Sequence, residues 1–132
     1  MRISTTKPPT LADIDAIANE AFQSIPAALR QHAEGVVIRV EEFPDEETER
    51  DMELESPFDL LGLYRGVAID RKSVQDLPHQ PDMVFLYRRP LLDYWAESGE
   101  DLVHLVRHVL IHEIGHHFGF SDEDMARIEE GD

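Results

Sequence analysis

Apolar positions along the chain alternate between helical and strand spacing. Leu11, Ile14, Ala18 and Phe22 fall on one helical face, with Ile17 and Ala21 beside them. They predict a helix over 11–22, entered after Pro8-Pro9 and capped by Thr10. A short second helix is expected over 26–32, since Pro26 suits a first helical turn. Gly35 resets the chain, and the β-branched run over 36–40 reads as a strand. Residues 58–69 carry two glycines among apolar positions and predict a strand, a turn or bulge, and a short return strand. A further strand is expected over 83–87, closed by Pro90, followed by a short helix over 91–97. A long helix over 100–118 follows, with Asp101 in its first turn, where the macrodipole favours acid. Gly119 ends it, and Ser121 caps a last helix, with Asp124 as an imperfect capping-box partner. The pattern is α+β: helices packed on a small mixed sheet, in one domain over 1–132.

Charge changes this picture in one place. Nine of the sixteen residues over 41–56 are acidic and Arg50 is the only base, so this segment is expected to be a solvated loop, or a flap over a cleft. The whole chain carries 12 Lys+Arg against 28 Asp+Glu, a formal net charge of −16. That balance argues against nucleic acid and against anionic membrane surfaces. The longest apolar stretch, 102–120, is interrupted by His and Glu, so no bilayer span is expected. With no cysteine, disulfides, Cys-based zinc sites and thiol nucleophiles are excluded. The N-terminal residues have no apolar core of a secretory signal, and a cytoplasmic monomer is expected.

Candidate chemistry concentrates at the end of the long helix, which contains His112-Glu113-Ile114-Gly115-His116. Residues at i and i+4 share a helix face, so His112 and His116 can present imidazoles to one ion. Zinc accepts such nitrogens in a tetrahedral site. Glu113, one step round the helix, is placed to act as general base towards a metal-activated water. A catalytic zinc keeps three protein ligands and an open position, so a third ligand must come from elsewhere. Gly119 allows the chain to turn back and bring Asp122 to the ion, which extends the pattern to H-E-x-x-H-x-x-G-x-x-D. His104 and His108 continue the i, i+4 stripe backwards; His108 and His117 are candidates to support the ligands through their other ring nitrogens. His79 lies in a proline-rich loop with no motif around it.

Three segments together resemble the minimal zincins, small bacterial zincin-like metallopeptidases. They are Leu61-Gly62-Leu63-Tyr64-Arg65-Gly66, Val84-Phe85-Leu86-Tyr87-Arg88-Arg89-Pro90, and His112 through Asp122. The resemblance implies a minimal zincin-like fold with an H-E-x-x-H active-site helix, a Zn2+ cofactor and a peptide or protein substrate. It also implies that an edge strand, either 83–88 or 60–64, receives extended substrate by strand addition. Ten residues follow Asp122, too few for the downstream methionine turn of metzincins, and Met125 comes too early for that role. The later-helix glutamate of gluzincins has Glu129 as its nearest candidate, 13 residues after His116 and hence tight. Asp122 is therefore the expected third ligand, with Glu123 and Glu129 behind it.

The leading expectation is a zinc metallopeptidase in which Glu113 moves the proton, with Tyr64, Tyr87 and Arg88 as candidates for oxyanion or substrate contacts. A non-catalytic acidic interaction module is the alternative, its zinc closed by a fourth ligand from Glu123 or Asp124. A metal-dependent ribonuclease with the same ligand spacing is opposed by Glu113 and by the net charge.

Overall fold

A computed structural model describes residues 7–66 and 82–130. The element order is α1 (Leu11–Gln23), α2 (Ala27–Arg30), β1 (Val37–Glu41), α3 (Glu46–Asp51), β2 (Gly62–Arg65), β3 (Met83–Tyr87), α4 (Arg88–Ser98), α5 (Leu102–His117) and α6 (Asp122–Glu129). Single 3₁₀ turns follow α2 at Gln31–Ala33 and precede β2 at Pro57–Asp59. The architecture is α+β, with the helices packed on a three-stranded mixed sheet of order β1-β3-β2. Strand β3 is central, parallel to β1 and antiparallel to β2. No helix among the described residues is long and apolar enough to cross a membrane.

Most elements follow from local chemistry. Thr10 and Asp13 form a reciprocal capping box at the start of α1. The buried stripe of α1 is Ile14, Ala18 and Ala21; Leu11, expected on that face, is exposed in the first turn. Asp101 is the N-cap of α5 and accepts from the His104 N–H, one step outside the first turn where it was expected. At α6 the imperfect box expected at Ser121 and Asp124 is complete, with both reciprocal bonds made. Helix α4 starts earlier than expected, at Arg88, because Pro90 sits comfortably in its first turn. The return strand expected up to 69, and His79, lie outside the described residues.

The acidic segment is a correction. Part of 41–56, expected as loop, folds into α3. Asp45 caps it through the Thr48 N–H, and Glu46, Glu47 and Glu49 occupy its first turn, where negative charge meets the positive end of the helix dipole. Thr48 is buried, and its hydroxyl accepts from Arg65 Nη2 at 3.0 Å and meets the Tyr87 hydroxyl. The segment thus covers one face of β3, where Phe85 and Tyr87 point. Val84 and Leu86 point the other way, into the core with Ile14, Ala18, Leu105, Val106, Leu110 and Ile114.

Strand β2 lies unusually close to α5. A Cβ on Gly62 would stand 2.7 Å from Val109 Cγ1 and 3.1 Å from the Phe85 carbonyl oxygen, so only glycine permits this approach. Gly62→Ala is expected to cost about 1–3 kcal/mol of unfolding free energy through overpacking. In a urea double-mutant cycle that cost should shrink in a Val109→Ala background; an unchanged cost would remove this contact as its source.

Candidate active site

Helix α5 sets the histidines. Four-residue steps place His108, His112 and His116 along one face, each step rising ~6 Å. The helix ends at Phe118, where Gly119 takes φ +80° and reverses the chain. The Phe120 N–H closes the end on the Gly115 carbonyl at 2.9 Å. Ser121 then caps α6, which runs back along α5. Its closest approach is at Gly115: a Cβ there would collide with Met125 Sδ. Met125 is fully buried.

This hairpin brings carboxylates to the histidine stripe from both ends of α6. Asp122, in its first turn, places Oδ1 3.3 Å from His116 Nε2. Glu129, in its last turn, places Oε2 3.3 Å from His112 Nε2 and Oε1 2.6 Å from His108 Nδ1. Two three-residue groups result, His112–His116–Asp122 and His108–His112–Glu129, and the ligand atoms within each lie within 4.8 Å of one another. Ligands at 2.0–2.1 Å around a tetrahedral zinc stand ~3.3 Å apart, so the nitrogen–carboxylate separations at 3.3 Å are already those of a bound ion. The donor set of two imidazoles and a carboxylate therefore fits zinc. Glu123 is exposed and belongs to neither group, and Asp124 is spent on the Ser121 cap and on Arg127, which hold its carboxyl below the usual range.

Glu113 is fixed from the sheet. Its Oε1 accepts from the main-chain N–H of Tyr64 on β2 at 3.0 Å. Burial raises its carboxyl pKa above the ordinary value of 4.5, outweighing the Tyr64 N–H and the His116 charge, which both lower it. The Glu113 carboxyl is thus half-buried and oriented by a backbone donor.

The remaining predicted residues fall in other places. Tyr64 contributes its N–H; its hydroxyl donates to Asp82 at 3.3 Å, and its ring stacks on His117 with centroids 3.9 Å apart. Burial and the Asp82 charge raise its pKa well above normal. His117 is therefore a brace on Tyr64. Tyr87 is only 2% exposed, with its pKa pushed up to about 12 by burial and by Glu41 and Asp45, so the structure does not bring it to the histidines as a substrate contact. Arg88 donates to the Pro9 carbonyl at 2.7 Å and pairs with Glu42 at 2.9 Å, which ties the N-terminal arm to the start of α4. His104 is exposed on the first turn of α5. The 83–88 option for the substrate strand fails, because β3 is flanked on both sides; β2, among the described residues, is an edge strand whose Tyr64 N–H is held by Glu113.

Two contributors escape sequence reasoning. One is the Tyr64 N–H, since no side-chain pattern reports a main-chain donor. The other is the Gly115–Met125 contact, although a glycine between two ligand histidines is itself a signal of close approach. The His108–Glu129 pair was legible in part: Asp122 and Glu129 are seven residues apart, the spacing that puts both on one helix face.

A family model described as zincin-like metallopeptidase matches residues 33–132 of the chain. No curated protein sequence matches it.

The raised Glu113 pKa carries a sign. The unfolded chain ionises this group near 4.5, whereas the folded chain resists ionisation. Stability is therefore full below 4.5 and is lost as pH rises through the folded value. In chelator-treated protein, Glu113→Gln should equal wild type at low pH and become the more stable of the two as pH rises past 4.5, read from urea midpoints across pH. A constant difference at every pH would contradict burial of the charge.

Proposed function

The chain belongs to the zincin-like metallopeptidase family, and from that premise we propose that it is a zinc-dependent peptidase whose ion is held by His112, His116 and Asp122, with Glu113 as general base. The family implies a metal, usually zinc. The observation that carries the reading is the placement of Glu113: next to His112 in sequence, half-buried, and tied by the Tyr64 N–H at 3.0 Å.

Bound zinc would supply Lewis acidity to the scissile carbonyl and to the attacking water. The residues of this chain do the rest. The Tyr64 N–H holds one carboxylate oxygen of Glu113, which leaves the other for the proton of the attacking water. In this role Glu113 accepts that proton and returns it to the leaving amine. Strand β2, an edge strand beside α5, is the main-chain surface to which an extended peptide adds, through groups other than the Tyr64 N–H that Glu113 holds. The substrate is a peptide or protein, taken by the chain as a monomer.

Glu113→Gln is expected to cut hydrolysis of a casein or peptide substrate by about 10²–10⁴-fold. Zinc, read by elemental mass spectrometry, should stay near one per chain in that variant and be lost in His112→Ala. Hydrolysis should fall likewise in Asp122→Ala, and unchanged hydrolysis there would move the third ligand to another carboxylate. No zinc in wild type even after it is supplied would overturn the peptidase reading and favour an acidic interaction module.

A further inference from the structure

The second of the two groups on α5 and α6 is held by more side chains than the first, and its His108–Glu129 pair, hydrogen-bonded at 2.6 Å, opens to ~3.3 Å to take an ion. Glu129 is held on its main chain: Arg107 donates from Nη1 to the Glu129 carbonyl at 2.7 Å and from Nη2 to the Ile128 carbonyl at 3.1 Å. The third guanidinium nitrogen, Nε, donates to Ser24 Oγ at 3.1 Å. The guanidinium thus anchors the end of α6 through carbonyls, while the Glu129 carboxylate faces two imidazoles. The Glu129 side chain is 14% exposed, whereas that of Asp122 is 87% exposed. The rings of His108 and His112 lie 4.1 Å apart, closer than the 5.6 Å between His112 and His116.

We propose that His108, His112 and Glu129 form a second zinc position, one helical turn from the first, that competes with it for His112. Each position offers two imidazoles and one carboxylate, so neither is excluded by donor chemistry. His112 Nε2 has one lone pair and ligates one ion at a time. The two loaded states are therefore alternatives. Because each state holds one ion, their ratio depends on relative affinity and not on zinc concentration. The pre-positioned Glu129 favours the second position, and the exposed Asp122 loses more side-chain freedom on binding. An ion there is held without His116 and Asp122, the other ligands of the first position. Such protein is loaded but idle. The idleness rests on the proposed catalytic role of the first position; the binding does not.

Zinc binding to the metal-free full-length chain, measured by competition with a chromophoric chelator, tests this. His116→Ala/Asp122→Ala should bind one zinc at the second position, His108→Ala/Glu129→Gln one zinc at the first, and His112→Ala should bind at least about tenfold more weakly than either. With Co2+ as probe, the visible spectrum of wild type should be a weighted sum of the two double variants' spectra. Circular dichroism confirms folding, with His116→Gln/Asp122→Asn as the milder replacement should the alanine pair unfold. The proposal is overturned if the pair lacking His116 and Asp122 binds no better than His112→Ala, or if wild type takes two ions with equal strength. Binding lost only in His108→Ala/Glu129→Gln would instead overturn the catalytic position of the preceding section and leave this one standing.

Discussion

The contact between Gly115 and Met125 governs the rest of the site. Helix α6 carries both carboxylates that reach the histidines, and it can lie against α5 only because Gly115 has no Cβ. Any side chain there would hold the helices apart by a carbon's width, and the 3.3 Å separations at His112 and His116 leave no such slack. Met125 suits the position because its thioether is flexible and fills an irregular gap. The sulfur thus supports the ligand helix from below, although it lies in a short helix and not in a separate methionine turn.

A second constraint comes from the sheet. Gly62 lets β2 approach Val109 of α5, and that approach delivers the Tyr64 N–H to Glu113. The helix alone would leave this glutamate free to rotate. The strand instead fixes one of its oxygens with a donor that cannot leave, since the N–H belongs to the main chain. The same strand supplies the Tyr64 ring that His117 stacks on, which secures the last turn of α5. Two glycines, Gly115 on α5 itself and Gly62 on its partner β2, therefore set the two close approaches that build the site.

What was legible in the sequence was local. The four-residue histidine steps, Gly119 as the reversal and Ser121 as the next cap are signals carried within about ten residues, and each appears where expected. The acidic helix was not legible, because α3 shows no apolar stripe: its order comes from a cap, a dipole and one buried threonine. The surroundings of Tyr87 were not legible for a different reason. A strand's alternation tells which residues share a face, but not which face meets the site, and here α3 covers the face that Tyr87 occupies. Glu129 was discounted for being 13 residues beyond His116, a sequence distance that the antiparallel hairpin converts into proximity to His112 and not His116.

That hairpin also explains why there are two groups of ligands and not one. Three histidines spaced by four residues rise ~12 Å from first to last, and two carboxylates seven residues apart rise ~10.5 Å. Two antiparallel helices of such similar reach match at their ends: Asp122 with His116, Glu129 with His108. His112, in the middle, has no carboxylate of its own and is shared by both groups. A motif that uses the middle histidine as a ligand thereby inherits an ambiguity in where its ion rests. Beside His112, the strand holds Glu113 by one oxygen whichever group an ion joins. The ligand set thus governs where an ion rests, and the sheet governs where the neighbouring carboxylate stands.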